Sequence, residues 1–308
     1  IILSFISFIN IISYYSIQND YVSLKQFRVV NKNSKDVILK SRDIISRKYI
    51  IKDFENLDDI KIGMILNLDG EIKKLSYYDV GVVGEIKNYK INEFKTDFIY
   101  KFINMKNVIK DFFVMKFGDE KGNILSGLTF GDTSGLDKEY KNDLKSLGLV
   151  HILSVSGFHM NLIFMFISKI LSVAPSLFIS FLYLMFTGVK VSGIRAFTMM
   201  FLKQTAPKLY RTYDGINALC VAGVIILLLR PYEIFNMGFV YSFSATLGIL
   251  MFNRKINDYF YKMPKLLADS VSLILSAQIF IFPISILIER KLEFGFLLSN
   301  MLLVPFYS

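Results

Sequence analysis

Cysteine and histidine are nearly missing from this chain: one cysteine, Cys220, and two histidines, His151 and His159, occur among 308 residues. A lone thiol forms no internal disulfide, and Cys220 within ALCVAG reads as helix packing. There is no CxxC and no HExxH, and two histidines are too few for an ordinary histidine-rich metal site. Neither a bound metal nor a cofactor is expected. A G-x-S-x-G nucleophile elbow is lacking, as are the internal repeats of many solute transporters. The chain begins IILSFISFIN with no initiator methionine, basic flank or signal-peptide cleavage site, and it stops at VPFYS inside an apolar run. Both ends therefore read as cut, the expectation for a fragment of a longer protein.

Apolar residues are plentiful. The 53% hydrophobic content, 15% aromatic content and mean hydropathy of +0.44 lie outside the usual soluble range and imply a membrane protein. The apolar residues are unevenly spread. Residues 1–19 read as a transmembrane helix about 25 Å long over its apolar part, 20–148 are mixed and charged, and 149–308 are apolar again. Acidic residues are the scarcer charge, with 36 Lys and Arg against 26 Asp and Glu, a net charge of +10. From Leu149 onward the count is 13 against 6, so most of the excess lies in the apolar region. Such a balance suits anionic lipid headgroups and the positive-inside rule, and it suits an anionic polymer as well.

Residues 20–90 alternate as short strands, VSLKQFRVV, DVILK, KYIIKDF, MILNLDGEIKKL and GVVGEIKNYKI, with glycines at the turns. Five strands without helix-length gaps predict a small OB-like barrel. Helical spacing is predicted over 91–117, where Phe94, Phe98, Phe102, Met105, Ile109, Phe112, Phe113 and Phe117 alternate with lysines. That pattern suits an interfacial helix, and it also suits stacking on single-stranded nucleic acid. FGDTSG reads as a loop, with Asp137, Lys138 and Glu139 opening a short helix that completes an interfacial segment over 91–148.

Seven hydrophobic runs follow, at about 149–168, 171–188, 191–206, 215–229, 234–252, 266–288 and from 292 on. Several are short for a span of about 20 residues, which predicts tilted, broken or re-entrant helices. If all cross, Lys169, then Lys203, Lys208 and Arg211, then Arg254, Lys255, Lys262 and Lys265 fall on the cytoplasmic side, leaving 20–148 extracytoplasmic. The expected fold is an α-helical integral membrane bundle, multi-pass in the cytoplasmic membrane, with a small extracytoplasmic OB-like β domain.

GLVHILSVSGFHMN holds both histidines at the mouth of the first of these runs. Ser156 and His159, three apart, share a helix face; His151 lies two turns before His159, and Gly157 would let another backbone approach. Unpartnered polar groups in hydrocarbon cost roughly 1–7 kcal/mol, so this segment either satisfies itself within the bundle or serves a function. An intramembrane serine hydrolase built on Ser156 and His159 lacks a carboxylate to orient the base.

GLVHILSVSGFHMNLI resembles the signature of the ComEC competence-protein family, the membrane channels that admit transforming DNA. FGDTSGLDKEYKNDLKSLG is similar to that family's lead-in. Gly188, Ser192, Arg195 and Ala196 resemble its next element, and Asp214, Asn217, Leu219 and Ala222 the one after. RPYEIFNMGFVYSFSATLGIL and the tail FPISILIERKLEFGFLLSNMLLVPF are similar to the last two. The matches run in order over about 122–308, and 20–90 resembles the family's OB-like domain. Val240 and Tyr241 stand where the family often has Gln-Leu before Ser242, which removes one polar side chain.

The resemblance implies a channel for single-stranded DNA in 149–308, and a metallo-β-lactamase-like nuclease domain beyond this chain's end. The segment itself is expected not to be an enzyme. Implied partners are single-stranded DNA, the lipid bilayer, a DNA receptor, a cytoplasmic helicase and further copies of the chain. DNA-pathway or channel-structural candidates are His151, Ser156, Gly157, His159, Arg195, Asn217 and Ser242. A small-solute transporter is the other alternative.

Overall fold

The structure is a computed structural model that describes residues 2–17, 20–32, 35–43, 46–54, 60–75, 81–146 and 157–289. Chain contacts divide it into two units, Ile1–Val108 with Val224–Asn236, and Ile109–Gly223 with Met237–Ser308.

In the first unit, α1 (Ile2–Tyr15) leads into five strands, β1 (Asp20–Lys32), β2 (Val37–Ser41), β3 (Lys48–Ile51), β4 (Ile65–Lys74) and β5 (Val82–Lys95). They close into a barrel in the order β1-β2-β3-β5-β4. The β3–β5 pair is parallel and the paired neighbours otherwise antiparallel, an OB-like topology. Each of the five strands lies where the alternation of the sequence predicts one. Phe27 and Val29, Val37 and Leu39, Tyr49 and Ile51, and Leu66 and Leu68 point inward and are all but inaccessible, as the period of two requires. Bulges at Val22/Lys25 and Asp69/Glu71 bend the long strands enough for closure. Gly70 stands at the second, where a Cβ would come within 2.9 Å of the Ile86 side chain and 3.2 Å of the Lys87 carbonyl.

Two polar devices tie the barrel to its helices. Arg47, just before β3, donates to the carbonyls of Ser13, Tyr14 and Ser16 at 2.6–3.1 Å. These belong to the last turn of α1, whose carbonyls have no intrahelical donor. The Tyr14 hydroxyl donates to the Gly81 carbonyl and accepts the Lys48 N–H.

The second device corrects the predicted start of helix at 91. β5 continues to Lys95, paired opposite Ile65, and α2 begins at Phe98. Asp97 separates them by accepting the Tyr100 N–H, a capping bond, while taking two bonds from the Arg28 guanidinium. The Arg28 pair holds the Asp97 carboxyl down to about 2. Its stabilisation is therefore present above the ordinary carboxylate value near 4 and is lost as pH falls through about 2. The Asp97→Asn change is expected to cost about 1–2 kcal/mol at neutral pH, discounted for partial exposure. Thermal unfolding of the full chain should show the variant's deficit closing between pH 4 and 2.

The second unit is helical. The later part of α2 (Phe98–Phe117) and α3 (Asp119–Phe130) are followed by the 131–137 loop and α4 (Lys138–Ser146). Then come α5 (Gly157–Ser168), α6 (Val173–Phe186), α7 (Val191–Thr205), α8 (Gly215–Leu229), α9 (Met237–Tyr259) and α10 (Lys265–Glu289). The predicted runs at 171–188, 191–206, 215–229, 234–252 and 266–288 each contain a helix. For 149–168 only the part from Gly157 is described, and the run from 292 lies outside the described residues. α3 ends on Gly131 in the left-handed conformation, and the following loop is pinned from two sides. Lys110 reaches the Ser134 hydroxyl and the Asp132 carboxylate, and Lys190 donates to the Gly131 carbonyl at 2.5 Å.

Among the described residues, one stretch, Lys265–Ile288, is long and apolar enough to cross a membrane. Its Leu266, Leu273, Ile279, Phe282 and Leu287 are exposed. The other apolar helices have 10–17 residues.

Candidate functional site

The site grows from α7 and two of the helices packed on it, α5 and α9. α5 and α7 meet closely because Gly157 faces Ala196: a Cβ on Gly157 would lie 3.3 Å from the Ala196 Cβ and 3.6 Å from Arg195 Nη2. Small residues at the crossing permit that distance. Phe164 of α5, Leu177 of α6 and Met200 of α7 form the buried apolar cluster of the three-helix contact.

From α7 the Arg195 guanidinium reaches α9, where Nη1 donates to the Ser242 carbonyl and the Thr246 hydroxyl. The Thr246 hydroxyl also donates to the same carbonyl at 2.9 Å. These bonds occupy one nitrogen. Arg195 Nε is buried without a hydrogen-bond partner, as is the Ser242 hydroxyl. No carboxylate lies within ion-pair distance of Arg195 among the described residues. The guanidinium is thus held by neutral acceptors and its charge is uncompensated.

At the same α5–α7 crossing a cavity of about 200 Å³ is lined by Gly157, Asn161, Met200, Lys203, Gln204 and Tyr213, among others, with Arg195 behind Gly157 and Ala196 rather than in the lining. At about 30 Å³ per water it holds several. Its lining carries one cation, Lys203, and the amides of Asn161 and Gln204, all able to donate hydrogen bonds. Such an arrangement can hydrogen bond to and neutralise an anion. It offers no nucleophile with an oriented base.

The sequence candidates distribute as follows. Gly157, Arg195 and Ser242 come together at this crossing. His159 is half-buried on the first turn of α5. Asn217 is exposed on the first turn of α8, its backbone N–H bonded to the Asp214 carboxylate, and takes no part in the Arg195 set. His151 and Ser156 lie outside the described residues. Thr246 and Asn161 were not among the candidates. Each stands four residues from one that was, Ser242 and Gly157, so helical spacing alone would have found them.

Comparison with known proteins bears on residues 128–308, which match the family described as Competence protein. The chain is 26% identical over 222 residues to ComE operon protein 3 of Bacillus subtilis, covering 69% of this chain and 28% of that protein. It is 30% identical over 172 residues to the uncharacterized protein MG316 of Mycoplasma genitalium, covering 54% and 43%. An uncharacterized protein of Aquifex aeolicus is 27% identical over 197 residues, covering 58% and 48%. The chain therefore spans less than a third of the first of these proteins and less than half of the others. No solved structure matches.

Proposed function

Because the chain belongs to the competence-protein family, we propose that it forms part of a channel carrying single-stranded DNA across the cytoplasmic membrane during DNA uptake. The observation that carries this reading is Arg195, a half-buried cation with no carboxylate partner among the described residues and an inaccessible, unpartnered Nε. An isolated charge removed from water costs several kcal/mol, and neutral acceptors do not cancel it. A strand with one negative charge per phosphate supplies the missing partner at each step of passage, and the bidentate geometry of a guanidinium suits phosphate. Lys203 and the amides across the cavity then offer the next contacts along the path.

Short helices fit the same reading. α5 to α8 have 12–15 residues, about 18–22 Å of rise, against a hydrocarbon core of about 30 Å. Helices this short are tolerated at membrane depth where they border protein or a water-filled path. On this reading the barrel faces outward and α2, with Phe98, Met105 and Phe112 exposed beside lysines, lies in the interface. The channel takes in strand from a DNA receptor outside, hands it to a helicase inside, and assembles in the lipid bilayer with or without further copies of itself. The segment transports and catalyses no reaction.

Uptake of labelled DNA by a transformable cell that depends on this protein tests the reading. Gly157→Phe, which fills the cavity beside Arg195, is expected to lower uptake by about tenfold or more, about 1.4 kcal/mol of added barrier or beyond. Gly157→Ala has to displace the Ala196 methyl by only a few tenths of an ångström and should stay within about twofold of wild type. Undiminished uptake in Gly157→Phe at normal protein levels would remove the cavity from the DNA path.

A further inference from the structure

The outer face of the barrel carries an arrangement that channel passage does not use. Arg28 on β1 stands directly opposite Lys40 on β2, and Lys40 directly opposite Lys48 on β3. Three cations thus form one row across three adjacent strands, each about 5 Å from the next at Cβ, and like charges so placed destabilise a sheet. Arg28 is neutralised by Asp97, and Lys48 lies 3.9 Å over the Tyr232 ring. Lys40 has neither an ion-pair nor a hydrogen-bond partner among the described residues. Burial, with Arg230 and Lys40 adding, holds the Lys48 ammonium down to about 8, and burial likewise lowers Lys40.

A cavity of about 240 Å³ opens beside this row, lined by Arg28, Lys40, Ser41, Arg42 and Ser46. Arg28 is paired with Asp97, and the Ser41 and Ser46 hydroxyls donate to Asp43. The donors left for an anion here are therefore the Lys40 ammonium and the N–H groups of Arg42 beyond the one that bonds Gln26. We propose that the cavity binds the phosphate of an anionic lipid headgroup where the barrel meets the outer face of the membrane.

Its position selects lipid. The Ser41 N–H donates to the Arg47 carbonyl, and the Arg47 guanidinium in turn donates to carbonyls of the last turn of α1. The cavity therefore lies within a few residues of the point where α1 ends. Tyr14 and Tyr232 at that level are core residues, and Phe235, which packs on Tyr15, is the exposed aromatic there, placed as a side chain at a membrane–water interface would be. No aromatic side chain lines the cavity, so it lacks the stacking platforms with which single strands are held. The proposal rests on the reading that α1 enters the membrane.

The test uses the full chain with vesicles of phosphatidylcholine alone or with one part in five of phosphatidylglycerol, followed by mild detergent extraction and a count of co-purified lipid by native mass spectrometry. The wild type is expected to retain phosphatidylglycerol selectively. The double variant Lys40→Ala with Arg42→Ala should lose that enrichment by about tenfold, while Lys40→Arg keeps it. Without lipid the double variant should melt no lower than wild type, because relieving the like-charge row offsets the lost side chains. Equal enrichment in wild type and double variant overturns the proposal. So does release of the lipid by excess inorganic phosphate, which would make free phosphate the ligand, or by oligothymidylate, which would make the site one for nucleic acid. Failure to float with either vesicle overturns the membrane reading of α1 as well; flotation without enrichment overturns the lipid site alone.

Discussion

Arg195→Met is expected to reduce DNA uptake on the order of a hundredfold or more while the protein accumulates normally and unfolds at the same temperature or higher. The two halves of this result come from one cause. Methionine fills much of the same volume, and exchanging a half-buried charge without a carboxylate partner among the described residues for an apolar side chain removes its desolvation cost. The Ser242 carbonyl keeps the Thr246 hydroxyl as donor, so one acceptor is still satisfied. On the channel reading proposed above, what disappears is the cation that meets each phosphate, and losing a partner for a desolvated charge costs about 3–5 kcal/mol, about two to nearly four powers of ten in rate. Arg195→Lys keeps the charge without the planar fork and should retain part of the uptake. A purely structural Arg195 would show the opposite coupling, with uptake and thermal stability falling together. Uptake of labelled DNA, scored beside the melting temperature of purified protein, separates the two. Normal uptake in Arg195→Met would remove the observation on which the channel reading stands.

Gly248→Leu should fail at the level of folding. α9 and α10 pack along most of their length, and at Gly248 they approach so closely that a Cβ would lie 2.2 Å from the Ser276 carbonyl oxygen. The obstacle is backbone, so no rotamer change relieves it. The helices must separate, and Phe280, 3.5 Å from the same point, must shift with them. Overpacking of this kind costs about 3 kcal/mol. If these helices lie in the membrane, as proposed above, the loss is not recovered by hydrophobic burial elsewhere, since close packing itself drives their association. The expected observation is a lowered melting temperature and protease cleavage within 237–289, and a smaller shift of the same sign for Gly248→Ala. An unchanged melting temperature in Gly248→Leu would mean that these helices do not cross at Gly248.

Much of this could be read from the chain before any coordinates. Strand alternation located all five barrel strands, because a side-chain period of two is local and one face must be apolar. The helix start was misplaced because Phe94, Phe98 and Phe102 keep helical spacing straight through the junction. Their period hides that β5 pairs with β4 as far as Lys95. Asp97, an acidic residue before an apolar run, was the legible stop between them. At the candidate site, Arg195 and Ser242 both stood out through the resemblance, and Gly157 through the backbone approach it permits. Nothing in their spacing put them together, since 47 residues separate Arg195 from Ser242.

The sequence by itself determined the kinds of element and their order, a barrel followed by apolar helices with an excess of cations, because periodicity, composition and charge are properties of short stretches. Tertiary structure alone decided that the barrel closes β3 against β5, and that Arg28, Lys40 and Lys48 fall in one row. It also decided that the half-buried guanidinium of Arg195 meets neutral acceptors and, among the described residues, no carboxylate. Each of these depends on register and crossing between segments far apart in the chain. There the outcome is set by which close approaches small residues such as Gly157 and Gly248 allow, and local patterning carries no record of it.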